Sequence, residues 1–250
     1  MISDDDRLAA GLAAEAGRRL LTLRARGGDP DDLRRDGDRR SHEFLATELA
    51  RRRPDDALLS EEGADGPERL SASRVWIVDP LDGTKEFGEP GRTDWAVHVA
   101  LWEKGELTAG AVALPAQGKI LSTADPGSRY GSKSTSITLR LLVSRTRPPE
   151  FTARLADKTG ARVLPLGSAG AKAAAVICGD AEAYVHSGGQ YEWDSAAPVA
   201  VAVAAGLHAS RIDGSTLLYN QDPPSVPDIL ICKAALADML LEAISSVRQR

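Results

Sequence analysis

The chain has 250 residues, enough to bury a full core as one large domain or two small ones, and its 42% apolar and 27% charged residues are those of an ordinary globular protein. A net charge of −5 gives no reason to expect a nucleic-acid polymer as partner, which normally calls for a basic face, although a bound cation would still let a small anion in. Cys178 and Cys232 stand far apart without neighbouring ligands, which points away from a disulfide framework or a zinc knuckle and toward buried thiols in a reducing cytosol.

Ser3 followed by Asp4, Asp5 and Asp6 is a helix start, a capping hydroxyl and then negative charge at the positive end of the dipole. Leu8, Leu12, Ala13, Leu20, Leu21 and Leu23 continue it, so a helix is expected over 4–25. The acidic start is unlike a signal peptide, and no apolar run approaches the ~20 residues of a membrane span, so no span is expected and the location reads as cytoplasmic. Gly27-Gly28-Asp29-Pro30 breaks the helix, and the charged stretch through Arg40 has little to bury and reads as a mobile loop. A second helix is expected from Ser41 to about Arg52, with Phe44, Leu45 and Leu49 facing inward.

Strands follow at 57–60, 74–79, 95–102, 107–114 and 118–123, the third and fourth forming a meander turned at Lys104-Gly105. Residues 125–136, polar and rich in turn-formers, read as a linker that divides the chain into 1–130 and 137–250. Beyond it come a strand at 137–143, a helix at 149–158, a strand at 162–166, a small-residue helix at 168–178 and a strand at 183–186. A helix at 194–205, strands at 207–212 and 228–232 and a helix at 234–246 complete the chain. That alternation predicts a layered α/β domain.

The chemistry concentrates where the apolar run Val75–Val78 meets Asp79-Pro80-Leu81-Asp82-Gly83-Thr84. Pro80 has no N–H for a ladder and Gly83 permits a reversal, so the strand is expected to stop there with two acids on a tight turn. Carboxylates held that close repel, and a hard divalent cation is the usual remedy. Leu58-Leu59-Ser60-Glu61-Glu62 ends another apolar run in acids. Asp194, after Gly188 and Gly189 and before a helix, suits an N-cap, a metal ligand, or both.

Gly167-Ser168-Ala169-Gly170-Ala171-Lys172 has the chemistry of an anion cradle, yet a Gly-Ser turn before a helix is commonplace and the P-loop spacing is absent. The histidines, at 42, 98, 186 and 208, stand singly, and the last three lie in strand-like segments where they would be packed or hydrogen-bonded. Catalysis would therefore run through metals and a hydroxyl rather than imidazole.

Taken together, Ser60-Glu61-Glu62, Asp79-Pro80-Leu81-Asp82-Gly83-Thr84 and Trp193-Asp194-Ser195-Ala196-Ala197 resemble the inositol monophosphatase superfamily of Mg²⁺-dependent, lithium-sensitive phosphatases. Asp82-Gly83-Thr84-Lys85-Glu86-Phe87, Val143-Ser144-Arg145-Thr146-Arg147 and Gly167-Ser168 with Lys172 resemble its CysQ branch, the 3′(2′),5′-bisphosphate nucleotidases, in their mycobacterial type. The likeness spans nearly the whole chain and implies an αβαβα sandwich, with 1–130 as the metal-binding subdomain and 137–250 as the substrate-binding one. It implies a first Mg²⁺ on Glu61, Asp79 and the Leu81 carbonyl, a second on Asp79, Asp82 and Asp194, and a third, weaker ion on Glu61, with Li⁺ competing at the second site. Asp38 and Thr84 would polarise the attacking water, with Glu61 beside them, for in-line attack on phosphorus. Gly83, Thr84, Ser144, Arg145, Gly167, Ser168 and Lys172, with Asp82 and Asp194, would hold a small phosphorylated nucleotide.

The implied substrate is 3′-phosphoadenosine 5′-phosphate, hydrolysed to AMP, or its sulfated analogue, hydrolysed to adenosine 5′-phosphosulfate, in sulfur assimilation. Inositol monophosphate and fructose 1,6-bisphosphate are the alternatives for the same site, and a non-catalytic nucleotide sensor is a remoter one. A homodimer is implied by likeness alone. Where the family shows Thr-x-x-Asp this chain has Arg35-Asp36-Gly37-Asp38, so Asp36 stands as a substitute for Asp38.

Overall fold

A computed structural model describes residues 2–126 and 138–248. Two helices open the chain, α1 (Asp4–Ala25) and α2 (Pro30–Arg52). The expected start of α1 is observed: Ser3 Oγ accepts the Asp6 N–H and the Asp6 carboxylate closes back on Ser3. The stretch expected to be a loop up to Arg40 is instead the first half of α2. Asp29 accepts the N–H groups of Asp31 and Asp32, and Pro30 occupies the first turn, where its missing donor costs nothing. One turn apart on the exposed face, Arg34 pairs with Asp31, Arg35 with Asp32, and Arg39 and Arg40 both with Asp36. The charges that looked like a solvated loop are the outer face of a helix whose inner stripe is Gly37, Ser41, Leu45 and Leu49.

The first sheet, in the order β1-β2-β3-β4-β5, is built from β1 (Ala57–Ser60), β2 (Arg74–Asp82), β3 (Ala96–Glu103), β4 (Glu106–Leu114) and β5 (Lys119–Ser122). β1 runs parallel to β2, and the rest is an antiparallel meander. β2 does not end at Pro80: it carries on to Asp82 through an irregularity opposite β3, and only then does Gly83, at φ +86°, turn the chain into the short α3 (Thr84–Gly88). Edge-like behaviour at one residue is enough to accommodate a proline in a ladder.

The second sheet, in the order β7-β6-β8-β10-β9, comprises β6 (Arg140–Ser144), β7 (Arg162–Leu166), β8 (Ala183–Tyr191), β9 (His208–Ser210) and β10 (Ser225–Cys232). Its helices are α4 (Thr152–Thr159), α5 (Ala169–Ile177), α6 (Glu192–Ala204) and α7 (Ala237–Arg248). β8 is longer than its apolar start predicts, because its polar second half pairs with the start of β10. The division expected between 130 and 137 lies outside the described residues.

Three apolar clusters define five layers, the expected αβαβα sandwich. One joins α1 and α2 to the first sheet through Leu12, Leu45, Trp76 and Val99. A second lies between the sheets around α5 and α6, whose alanines and valines let both sheets approach closely. The third packs α4 and α7 on the outer face of the second sheet through Leu155, Val185, Leu240 and Ile244. Each fully buried Leu or Val here contributes about 1.5–3 kcal/mol. The consequence for function is positional: the ends of β1 and β2, the start of α6 and the start of α5 all meet at one edge of the middle layer.

Candidate active site

In a regular strand, residues three apart face opposite ways. Asp79 stands opposite His98 and Asp82 opposite Ala96, so three steps on β2 match two on β3, and the extra residue brings both carboxylates to one side. Asp194 reaches them from the first turn of α6. It is not the N-cap: its Oδ2 accepts the N–H of Tyr191, the cap residue, at 2.7 Å. Asp79, Asp82 and Asp194 each offer an oxygen within 4.8 Å of the other two, the one such group of acids, histidines or cysteines among the described residues.

Glu61, just past β1, lies outside that trio; its residue surface is open to solvent, but its carboxyl is crowded enough by neighbouring protein atoms to be partly desolvated. Its charge is nonetheless the strongest Coulombic influence on Asp79. Two bonds from α2 bracket these strand ends: Ser41 Oγ donates to the Pro80 carbonyl at 2.7 Å, and His42 Nδ1 lies 2.9 Å from Ser60 Oγ. Between the strand ends, the single hydroxyl hydrogen of Thr84 has two acceptors in reach, Asp38 Oδ1 at 3.2 Å and the Leu81 carbonyl at 3.0 Å from Oγ1, and is shared between them. Asp36 points away, tied to Arg39 and Arg40. The close approach of α2 depends on Gly37, where a Cβ would stand 2.8 Å from Leu81 Cδ2 and 3.0 Å from the Phe87 ring.

The segment expected to cradle an anion is occupied by protein carboxylates. Asp82 accepts the Ser168 hydroxyl and the N–H groups of Ala169 (3.0 Å) and Gly170 (2.6 Å), so the first turn of α5 caps onto it. Gly167 N–H donates to Asp94 at 2.8 Å. Lys172 is 4% exposed and directs its ammonium to the carbonyls of Gly167 and Ser168. Ser144 Oγ accepts the Arg147 N–H, and Arg145 is held by Glu86 and Glu89, both at 2.6 Å. Of these groups Ser168, Ala169 and Gly170 hold Asp82 directly, and Lys172 fixes the carbonyls of Gly167 and Ser168 beside it.

A model of the inositol monophosphatase family matches residues 6–249. The chain belongs to that family. A 3′-phosphoadenosine 5′-phosphate phosphatase of Mycobacterium bovis is 50% identical over 92% of this chain and 90% of its own length. The solved structure of CysQ from Bacteroides thetaiotaomicron, 25% identical, superposes with a TM-score of 0.77 over 92% of this chain and 97% of that one. The Thermotoga maritima IMPase, 22% identical, matches with a TM-score of 0.77 over 99% of both chains and shows the same fold.

The electrostatics of this inositol monophosphatase-family site fit a divalent cation. Burial and the charges of Glu61, Asp82 and Asp194 push Asp79 well above the usual carboxylate range. Burial, then the charges of Asp194, Asp38 and Asp82, hold Glu61 up at about 7. Burial and the Asp82 charge raise Asp194 to about 6, and burial with the neighbouring Glu62 raises Asp38 to about 7. Asp82 alone goes down, to about 2: burial opposes its charge, but His98, Lys172 and the Ser168 hydroxyl outweigh that. A set of hard oxygen donors that protein neighbours leave under-neutralised is what a divalent cation stabilises.

His98 is the packed strand histidine expected from the sequence, fully buried, with Nδ1 3.1 Å from the Trp193 carbonyl. Its Nε2 lies 3.2 Å from Asp82 Oδ2, at ion-pair distance but outside hydrogen-bond geometry, so the imidazole when protonated is also the counter-charge of this acid. Nothing local in Val97-His98-Val99 signals that role; it needs the β2–β3 register. Glu86 and Asp94, which anchor Arg145 and the Gly167 N–H, were missed for the same reason.

Proposed function

We propose that this protein is a Mg²⁺-dependent 3′(2′),5′-bisphosphate nucleotidase that removes the 3′-phosphate of 3′-phosphoadenosine 5′-phosphate to leave AMP. The same step on the sulfated analogue leaves adenosine 5′-phosphosulfate, which gives the enzyme a part in sulfur assimilation. The observation that carries the chemistry is the convergence of Asp79, Asp82 and Asp194, from segments more than a hundred residues apart, beside the Asp38–Thr84 pair. The substrate follows the mycobacterial relative, whose name is that activity.

Glu61, Asp79 and the Leu81 carbonyl would hold one Mg²⁺, Asp79, Asp82 and Asp194 a second, and Glu61 a third, weaker one; Li⁺ inhibition is expected at the second position. When bound, the ions would neutralise acids and phosphoryl oxygens together and make water a stronger acid. The protein's own part is proton handling and placement. Thr84 commits its hydroxyl hydrogen to Asp38 and the Leu81 carbonyl, leaving its oxygen as an acceptor toward the attacking water. Asp38, held near 7, takes up a proton at neutral pH more readily than an ordinary carboxylate. Gly83 exposes backbone to the phosphate, and Gly167, Ser168 and Lys172 keep Asp82 oriented.

The reading includes a cytoplasmic homodimer divided near residues 130–137; among the described residues no helix is long and apolar enough to cross a membrane. Turnover of 3′-phosphoadenosine 5′-phosphate, inositol monophosphate and fructose 1,6-bisphosphate, compared with and without Mg²⁺, tests it. Faster hydrolysis of either rival overturns the substrate, and absence of hydrolysis of all three with Mg²⁺ present overturns the enzyme.

A further inference from the structure

No residue between Ser60 and Arg69 is buried, so packing does not hold the segment that carries Glu61 away from β1. It is held at its two ends instead. At the first, His42 Nδ1 lies 2.9 Å from Ser60 Oγ, and the Gly63 N–H turns back to the Ser60 carbonyl at 3.1 Å. At the second stands Arg69, 2% exposed. Its guanidinium donates four of its five N–H hydrogens: to both oxygens of Asp65 (2.6 and 3.0 Å), to Asn220 Oδ1 (2.8 Å) and to the Gln221 carbonyl (2.9 Å).

Asn220 carries that grip across to the other half of the acid site. Its Nδ2 donates back to the Arg69 carbonyl at 3.0 Å, and its backbone N–H donates to Glu192 Oε2 at 2.7 Å. Both contacts are made from a left-handed backbone, φ +60°, which asparagine tolerates better than most side chains. Glu192 is fully buried and takes the Gln221 N–H on its other oxygen, also at 2.7 Å. It opens α6, and Asp194 stands two residues further on in the same turn. Hydrogen bonds therefore run without a break from Asp65 through Arg69 and Asn220 to Glu192, joining the neighbourhood of Glu61 to that of Asp194. Burying an arginine and a glutamate is unfavourable unless their hydrogen bonds are made, and here the bonds that satisfy them are those that tie two distant segments together. The charges of Glu61 and Asp194 oppose each other, so a restraint of this kind is what keeps the two acids near one another.

We infer that Arg69 and Asn220 are positioning residues for metal binding: through Asp65 on one side and Glu192 on the other, they fix the spacing of Glu61 and Asp194, which the proposed function assigns to neighbouring Mg²⁺ positions. The inference rests on that reading and deepens it, because it makes the metal affinity of the acids depend on a link that lies outside them.

The test measures Mg²⁺ binding by calorimetry, starting from metal-free protein, in the wild type, N220G, R69M, the N220G/R69M double variant and L240A. N220G keeps the left-handed backbone and the N–H to Glu192 and removes only the side-chain amide, so it decides the matter even if R69M does not fold. L240A opens the outer apolar cluster, on the far side of the second sheet, and controls for loss of stability alone. If the segment carrying Glu61 keeps its position only about a tenth of the time without the link, Kd for Mg²⁺ rises about tenfold in N220G and at least as far in R69M. The double variant should bind no more weakly than R69M, since both substitutions cut one link, and L240A should bind as the wild type does. In turnover, the Mg²⁺ concentration for half-maximal rate should rise by the same factor, with a smaller change in kcat at saturating Mg²⁺. Wild-type Mg²⁺ affinity in N220G, an equal loss in L240A, or losses that multiply in the double variant would each overturn the inference. A wild type that binds Mg²⁺ but hydrolyses no phosphate ester overturns the proposed activity alone, and calorimetry still decides the positioning role. A wild type that binds no Mg²⁺ overturns both.

Discussion

Replacing Asp82 with Asn alters one atom at the point where the acid trio and α5 meet. Asp82 takes donors on both oxygens: the Ser168 hydroxyl and Gly170 N–H on Oδ2, and Ala169 N–H on Oδ1. With the Asn oxygen kept toward Ala169, the new NH₂ faces His98 Nε2, Ser168 Oγ and Gly170 N–H. The hydroxyl is able to accept a hydrogen bond, as is the imidazole in its neutral form once the Asp82 charge is gone, but the backbone N–H of Gly170 cannot. One buried donor is therefore stranded, at a cost of about 1–3 kcal/mol. For a chain of this length each kcal/mol is worth about 2–4 °C, so Tm should fall by roughly 2–12 °C while the fold is retained. The missing negative charge should weaken the proposed second metal position, and turnover should drop on the order of 10²-fold or more, about 2.7 kcal/mol of transition-state stabilisation. The assay is steady-state hydrolysis across a Mg²⁺ titration, on protein whose far-UV circular dichroism matches the wild type. Wild-type turnover at ordinary Mg²⁺ would refute the assignment of Asp82, and an unchanged Tm would refute its role as the cap of α5.

T84A and D38N should each lower kcat by about 10²–10⁴-fold with KM little changed, because the pair acts on the water and not on substrate affinity; equal losses in KM would contradict this. In metal-free protein, Asp79, Glu61, Asp38 and Asp194 bind protons more tightly folded than unfolded. Their contribution is thus most favourable below an unfolded pKa of about 4 and declines as pH rises toward about 7, so Tm without metal should be lower at pH ~8 than at pH ~5, with Mg²⁺ restoring it at the higher pH. A Tm that rises across that range without metal would show that the acids are not mutually strained. Arg69, 2% exposed, donates to Asn220 Oδ1 and the Gln221 carbonyl, so R69A should destabilise by about 2–4 kcal/mol in urea unfolding, through two acceptors left without a donor.

Much of this architecture is local in origin. The capped start of α1, the turn at Lys104-Gly105 and the apolar run ahead of Asp79 each read correctly from neighbouring residues, because caps, positive-φ turns and strand periodicity are short-range physics. The acid-bearing motifs are likewise contiguous, which is why the family was legible from them. The helix around Asp29–Arg40 is not legible locally because it is amphipathic in size more than in polarity: its inner face is Gly37 and Ser41, explained only by the approach of Leu81 and Phe87 to the first and by the Pro80 carbonyl that accepts from the second.

The amino-acid order determined which residue types were available and where chain direction would change; it could not determine which of them share a space. Tertiary structure alone decided that Asp82 would cap α5 and stand beside His98, that Lys172 would turn its ammonium onto the carbonyls of Gly167 and Ser168, and that Arg145 would be neutralised by Glu86 and Glu89. The reason is that each depends on register or layer packing between segments tens of residues apart, and the energy of a charge is set by what surrounds it rather than by what precedes it in the chain.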